Sequence, residues 1–268
     1  MVIDCHTHIG FKEPLIASPG ELLESMKKAG IDATCVFAGE LNGCPTEKLL
    51  EELSHLPHLY PIGSVSPLSP SPPSLAVVEE WLASGKIYGL KFYPGYEFYY
   101  PYDSCVRPYL ELLVKYNKPA IFHSGDTYSK AQGAKLKYAH PFEIDELASE
   151  LPDLKIIIAH FGNPWFRDTA EVCLKNKNVY SDCSGFVYGS FQERDKRMFA
   201  EALETFMDYS LVHVFGRTKL LFGTDWPISD QSDYMKCVSE LFSTSQERED
   251  FFVGNALEVF DIKNISNV

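Results

Sequence analysis

The sequence has no long apolar run. Its longest are segments such as Ile156-Ile157-Ile158-Ala159, far short of the roughly 20 residues a membrane-spanning helix needs. It also lacks cysteine spacing signals. Its seven cysteines stand at positions 5, 35, 44, 105, 173, 183 and 237, and none forms a Cys-x-x-Cys pair. An odd, scattered set argues against a disulfide framework and for reduced thiols in a cytoplasmic protein. Cys5, Cys35 and Cys183 fall in apolar runs and read as small core residues. Basic residues are scarce, 24 Lys and Arg against 37 Asp and Glu, giving a net charge of −13. That imbalance argues against nucleic acid or an anionic membrane as main partner. No secretory leader is expected, because Asp4 and His6 interrupt the apolar start. No linker, low-complexity tract or composition break divides the chain. Residues 1–268 therefore read as a single domain, large enough to bury a core without disulfides or a structural metal.

What is present is a repeating alternation. Eight short β-prone runs occur at Val2–His8, Ala33–Ala38, Tyr60–Val65, Tyr88–Tyr93, Ala120–His123, Lys155–His160, Val179–Asp182 and Lys219–Asp225. They recur roughly every 30 residues, the size of one strand–helix unit. Several are almost continuously apolar, as strands covered on both faces are. Helical patterns fill the gaps: Gly20–Ala29, Thr46–Leu53, Ser74–Leu82, Pro108–Val114, Pro141–Leu147, Thr169–Leu174, Glu193–Met207 and Ser232–Phe242. Glu247–Val259 and Asn264 complete a helical tail, and Pro67–Pro73 reads as a loop. Eight strands alternating with helices predict an α/β fold, a (β/α)8 TIM barrel, in preference to a doubly wound open sheet.

In such a barrel functional side chains gather at the C-terminal ends of strands. The first run ends in Asp4-Cys5-His6-Thr7-His8. Alternation puts His6 and His8 on one strand face roughly 6.6 Å apart, with Asp4 one step deeper. One metal ion with bonds of ~2.1 Å can bridge that gap. Lys91 lies in the fourth run and Tyr93 shares its face; His123 ends the fifth, His160 the sixth and Asp225 the eighth. Four of the eight histidines thus occupy matching strand ends. Neutral imidazoles and a carboxylate suit Zn²⁺ or a similar divalent ion. Water on such an ion becomes a nucleophile near neutral pH, a neighbouring carboxylate can take its proton, and a further histidine can serve the leaving group.

These residues resemble the amidohydrolase superfamily, in its amidohydrolase-related branch of metal-dependent TIM-barrel hydrolases and decarboxylases. The likeness runs from Val2 through His140-Pro141, Leu151-Pro152-Asp153-Leu154-Lys155, Ala159-His160-Phe161-Gly162 and Gly223-Thr224-Asp225-Trp226-Pro227 to Gly254-Asn255-Ala256 and Phe260. It implies that His6, His8 and His123 bind a metal. Asp225 binds the metal or its water and acts as general base. His160 faces the substrate and stabilises developing charge, or holds a second ion. Two-metal relatives bridge their ions with a carboxylated lysine on the fourth strand. The reading preferred here is one ion, Zn²⁺ before Mn²⁺, with Lys91 and Tyr93 in the substrate pocket.

The loops hint at the substrate. Gly95–Tyr102 is dense in aromatics, and Lys130, Lys135 and Lys137 precede His140. Both loops read as a lid for a small carboxylated, cyclic or aromatic compound, or the tyrosines as a homodimer contact. The leading expectation is metal-dependent hydrolysis of a small-molecule amide, ester or lactone through a metal-activated water. The alternative is nonoxidative decarboxylation of a small aromatic or unsaturated carboxylic acid. A TatD-like metal-dependent nuclease fits less well, since such nucleases offer a glutamate where Lys91 stands. A metal-binding barrel without turnover is the non-enzymatic alternative.

Overall fold

The structure, a computed structural model, describes residues 1–10, 17–39, 43–127, 133–209, 219–238, 242 and 244–263, with backbone alone at 207–209. Strands and helices alternate as β1 (Ile3–His8), α1 (Pro19–Ala29), β2 (Ala33–Phe37), α2 (Thr46–Leu53), β3 (Leu59–Ser64), α3 (Leu75–Ala83), β4 (Leu90–Phe92) and α4 (Arg107–Lys115). They continue as β5 (Ala120–Phe122), α5 (Phe142–Glu150), β6 (Ile156–Ile158), α6 (Phe166–Lys175), β7 (Val179–Asp182), α7 (Glu193–Tyr209), β8 (Leu220–Leu221) and α8 (Gln231–Val238). The eight strands form one sheet in the order β1 to β8, each parallel to the next. This is the TIM barrel expected from the alternation.

Local chemistry explains the elements. α1 starts at Ser18, whose side chain accepts the Glu21 N–H while Glu21 reaches back to the Ser18 N–H, and it stops at Gly30 with φ 73°. Leu22 and Met26, one turn apart on α1, are its buried side chains. β5 and β6, Ala-Ile-Phe and Ile-Ile-Ile, are buried throughout, as parallel strands between a barrel interior and a helical shell must be.

β4, β6 and β8 are shorter than the apolar runs suggest, and for the last two this moves site residues off the strand. β6 ends at Ile158 and β8 at Leu221, so His160 and Asp225 stand beyond them. The backbone turns left-handed at His160 (φ 62°), Phe161 (φ 55°) and Asp225 (φ 66°), which no strand accommodates. The helical tail is also interrupted: Ser245–Glu249 and Asn255–Phe260 are α-helical, separated by a wider turn at Asp250–Gly254. There the Phe251 carbonyl accepts the Phe222 N–H at 3.1 Å. α8 is described over Gln231–Val238; residues 239–241 of the expected helix and Asn264 lie outside the described residues.

The seam between β8 and β1 closes the barrel. Cys5 N–H donates to Phe222 O at 2.8 Å, Asp225 N–H to His6 O at 2.8 Å and His8 N–H to Trp226 O at 2.7 Å. Asp4, fully buried, pins the same seam. Its Oδ1 accepts the N–H groups of His6 and Thr224, each at 3.1 Å. Its Oδ2 accepts Thr224 Oγ1 at 2.6 Å and Gln231 Nε2 at 2.9 Å. Removing this acceptor strands several buried donors, each worth roughly 1–3 kcal/mol when unsatisfied. Asp4→Ala is therefore expected to lower unfolding stability by at least ~3 kcal/mol, measured by urea denaturation; a loss below ~1 kcal/mol would contradict the pinning role.

Candidate active site at the strand C-termini

β1 delivers His6 and His8 to the barrel mouth on one face, and the left-handed turn after β8 swings Asp225 toward them. Asp225 Oδ1 lies 3.1 Å from His8 Nε2 and 3.8 Å from His6 Nε2. This oxygen is buried and receives no aligned hydrogen bond. Among the described residues, His6, His8 and Asp225 offer one ligand atom each within 4.8 Å of one another. Two imidazole nitrogens and a carboxylate oxygen are the donor types that zinc and similar ions take. A buried carboxylate oxygen without a donor is costly by itself, and a divalent cation would satisfy it. The residues present therefore fit such an ion.

His123 stands beside this trio and outside it. Its ring centre is 5.1 Å from that of His160 and 4.8 Å from that of Tyr96. Its Nε2–H donates to the Asp126 carbonyl at 3.0 Å, which leaves Nδ1 as the nitrogen with an electron pair. Lys91 is 1% exposed and lies against the histidine cluster rather than in an open mouth: its Nζ is 3.4 Å from His6 Nε2. It also lies over the rings of Phe37 and Tyr93, at 5.2 and 5.4 Å. Burial pulls its amine down to about 8 against the pull of Asp182 and Asp225. Tyr93 is a wall residue whose hydroxyl donates to Ala38 O at 3.3 Å, and burial raises its pKa.

Asp182, which ends β7, has no role in the sequence reading. The signal was available, since it is a carboxylate at the same strand-end position as the other site residues. In the structure it is 1% exposed. Its Oδ2 lies 3.0 Å from His6 Nδ1, and its Oδ1 accepts the N–H groups of His160 and Ser184, each at 3.0 Å. His6, His160 and Asp182 also lie close enough to share an ion, but these hydrogen bonds already satisfy the carboxylate. Gly185 follows. A Cβ there would come within 2.8 Å of His160 Nδ1 and 2.9 Å of Asp225 Oδ2, so only glycine lets the β7 loop approach this closely.

The two loops expected to form a lid make local contacts of their own. Tyr99 is core, accepting the Tyr93 N–H at 3.0 Å. Lys135 caps the Phe98 ring at 4.0 Å and Lys137 the Tyr138 ring at 4.6 Å, so both cations are engaged with aromatics. Lys130 lies outside the described residues.

Fold and site define a TIM barrel carrying, at its strand C-termini, a histidine–carboxylate cluster that could hold a metal ion. The amidohydrolase family model matches residues 3–262, and the chain belongs to that family. No curated protein matches it significantly in sequence. Solved structures similar to it include a probable 2-pyrone-4,6-dicarboxylic acid hydrolase from Acinetobacter baumannii with citric acid bound, at 15% identity and TM-score 0.71, covering 97% of this chain and 99% of that one. Another is an amidohydrolase from Burkholderia multivorans with bound zinc, at 15% identity and TM-score 0.71, covering 98% and 100%. A third is 5-carboxyvanillate decarboxylase from Novosphingobium aromaticivorans with bound manganese and a nitrobenzoic acid, at 12% identity and TM-score 0.70, covering 98% and 97%. Both hydrolases and decarboxylases thus share this barrel.

Burial and the Lys91 charge hold His6 and His160 well below their ordinary 6.5, and lower His123 to about 3. These three imidazoles are neutral in the fold. Their contribution to stability is present above 6.5 and is lost as pH falls below it. Asp4 works the other way: burial lifts it from 3.8 to about 7, so its contribution is lost as pH rises through that interval. Three groups outweigh one. The metal-free protein should gain thermal stability as pH rises from 3.8 to 6.5, and His123→Gln should flatten that rise. A melting temperature constant across the interval would refute this balance.

Proposed function

We propose that this protein is a metal-dependent hydrolase that cleaves an amide, ester or lactone bond in a small molecule. The observation that carries the proposal is the convergence of His6 Nε2 and His8 Nε2 on Asp225 Oδ1, a buried oxygen with no aligned donor. His6, His8 and Asp225 are the proposed ligands of one divalent ion, with His123 Nδ1 as the fourth. Zn²⁺ is preferred and Mn²⁺ next, the ions that the Burkholderia and Novosphingobium neighbours hold. When bound, such an ion supplies Lewis acidity and lowers the pKa of water to near neutrality.

The chain's own groups supply the rest. Asp225 takes the proton from the attacking water, and His160, neutral at rest, accepts that proton and passes it to the leaving atom. Lys91 holds a positive charge at the inner wall, where it would meet an anionic part of the substrate, and Tyr93 forms the adjoining wall. A small molecule is the proposed partner; nucleic acid is disfavoured by the net charge of −13. No helix among the described residues is long and apolar enough to cross a membrane. A cytoplasmic location and a homodimer remain part of this proposal.

Nonoxidative decarboxylation of a small aromatic or unsaturated carboxylic acid is the second reading. One observation favours it: replacing a carboxyl group with hydrogen needs a proton donor, and Lys91 carries protons beside the ligand cluster with a pKa of about 8. Mass spectrometry of turnover separates the two readings. Gain of water by a lactone, ester or amide supports hydrolysis; release of carbon dioxide from a carboxylic acid supports decarboxylation and overturns the first reading.

Metal uptake is tested independently of substrate. Elemental analysis should find one divalent ion per chain after loading with zinc or manganese, and His6→Ala or Asp225→Asn should abolish it. Charged Lys91 repels the ion, so affinity should climb as pH rises toward 8 and the amine loses its proton. Lys91→Met should remove that climb in chelator competition. Failure of the native protein to take up either ion would sink the proposal.

A further inference from the structure

The sequence reading left His160 with two roles and gave none to the segment after β7. The hydrogen bonds there allow the ring protons to be placed by counting. Ser184 Oγ is buried and lies within bonding distance of three groups: Asp182 Oδ1 at 2.5 Å, His160 Nδ1 at 2.8 Å and His6 Nδ1 at 3.0 Å. Asp182 is an acceptor throughout. Its Oδ1 takes two backbone N–H groups as well as the serine, and its Oδ2 faces His6 Nδ1 at 3.0 Å. A serine hydroxyl has one proton to give. That proton goes to Asp182, so Ser184 Oγ faces both imidazoles with electron pairs only.

We infer that Asp182 and Ser184 are positioning residues that hold His6 and His160 in the same tautomer, with hydrogen on Nδ1 and the electron pair on Nε2. For His6 this directs Nε2 toward Asp225 and Lys91, where the metal of the proposed function would sit. For His160 it decides the direction of proton transfer. The imidazole enters turnover as a proton acceptor at Nε2, and gives a proton only after taking one. It is therefore not a resting hydrogen-bond donor to a substrate oxygen. The two histidines share Ser184 as an anchor, and His6 has a second one in Asp182 Oδ2. The inference about His6 rests on the proposed metal site; the tautomer of His160 does not.

The test is nitrogen-15 NMR of histidine-labelled, metal-free full-length protein, with signals assigned by His6→Gln and His160→Gln variants. Both rings should show protonated Nδ1 and unprotonated Nε2. Ser184→Ala should release His160 into a tautomer mixture while His6 keeps its proton through Asp182. Ser184→Thr should restore the native pattern, and Asp182→Asn should disturb both rings. Zinc affinity by chelator competition should drop about 10- to 100-fold in Asp182→Asn and stay near native in Ser184→Ala. Thermal unfolding verifies that each variant is folded.

Protonated Nε2 on His160 in the native protein overturns the inference whatever the variants do, as does a His160 pattern unchanged in both Ser184→Ala and Asp182→Asn. Native protein that shows the expected tautomers but takes up no zinc refutes the metal-hydrolase reading and leaves the positioning pair standing. Native protein that binds zinc with His160 protonated on Nε2 does the reverse.

Discussion

Closure of the barrel between its first and last strands is the constraint on which the site depends. His6 and His8 come from β1, and Asp225 comes from the turn after β8, more than 200 residues later in the chain. The three meet only because the seam is drawn together by backbone bonds from Cys5, His8 and Asp225 and by the buried Asp4 carboxylate. The Asp225 N–H that donates to His6 O is itself one of those bonds. Barrel closure and assembly of the His6–His8–Asp225 cluster are thus one event, and the left-handed backbone at Asp225 sits where the two coincide. Strain of that kind, typically ~1–3 kcal/mol, persists only where the surroundings over-determine it, as the seam does here.

The second organising feature is the density of ionisable groups under almost complete burial. His6, Lys91, Asp182 and Asp225 are each no more than 5% exposed. In so dry a region a charge is costly unless paired, and the site answers this in two ways. The imidazoles stay neutral, pushed down by desolvation and by Lys91. Asp182 is surrounded by donors from His6, His160 and Ser184. Of the Asp182 and Asp225 carboxylates, Asp225 Oδ1 is left without an aligned donor, at the place where the His6 and His8 Nε2 atoms converge. The polarity of the site is therefore that of a cation receptor, with neutral nitrogen and anionic oxygen inward.

Much of this was legible in the sequence, unevenly so. The strand–helix alternation and the placement of His6, His8, His123 and Asp225 near strand ends follow from hydrophobic period and spacing, which are local properties. Strand lengths were not legible for β6 and β8, because apolar side chains continue after the backbone has left the β region. Asp182 ends β7, but a carboxylate closing a short strand reads equally as a turn residue. Ser184 carried no signal: a serine two positions past a strand is ordinary, and its importance lies in two histidines that reach it from β1 and from the turn after β6.

By itself the sequence determined the fold class, the strand count and the residue types at the barrel mouth, since periodicity and strand-end position are written in neighbouring residues. It also determined the acidic surface charge, which depends on composition alone. Only the tertiary structure decided which of those residues meet. It brought His6, His8 and Asp225 together, set His123 beside them, drew Lys91 down to the ligand cluster and joined His6 to His160 through Asp182 and Ser184. The reason is geometric. Hydrogen-bond partners and ligand contacts are set within a few tenths of an ångström by the closing of eight strands, and no local pattern encodes a distance between residues so far apart in the chain.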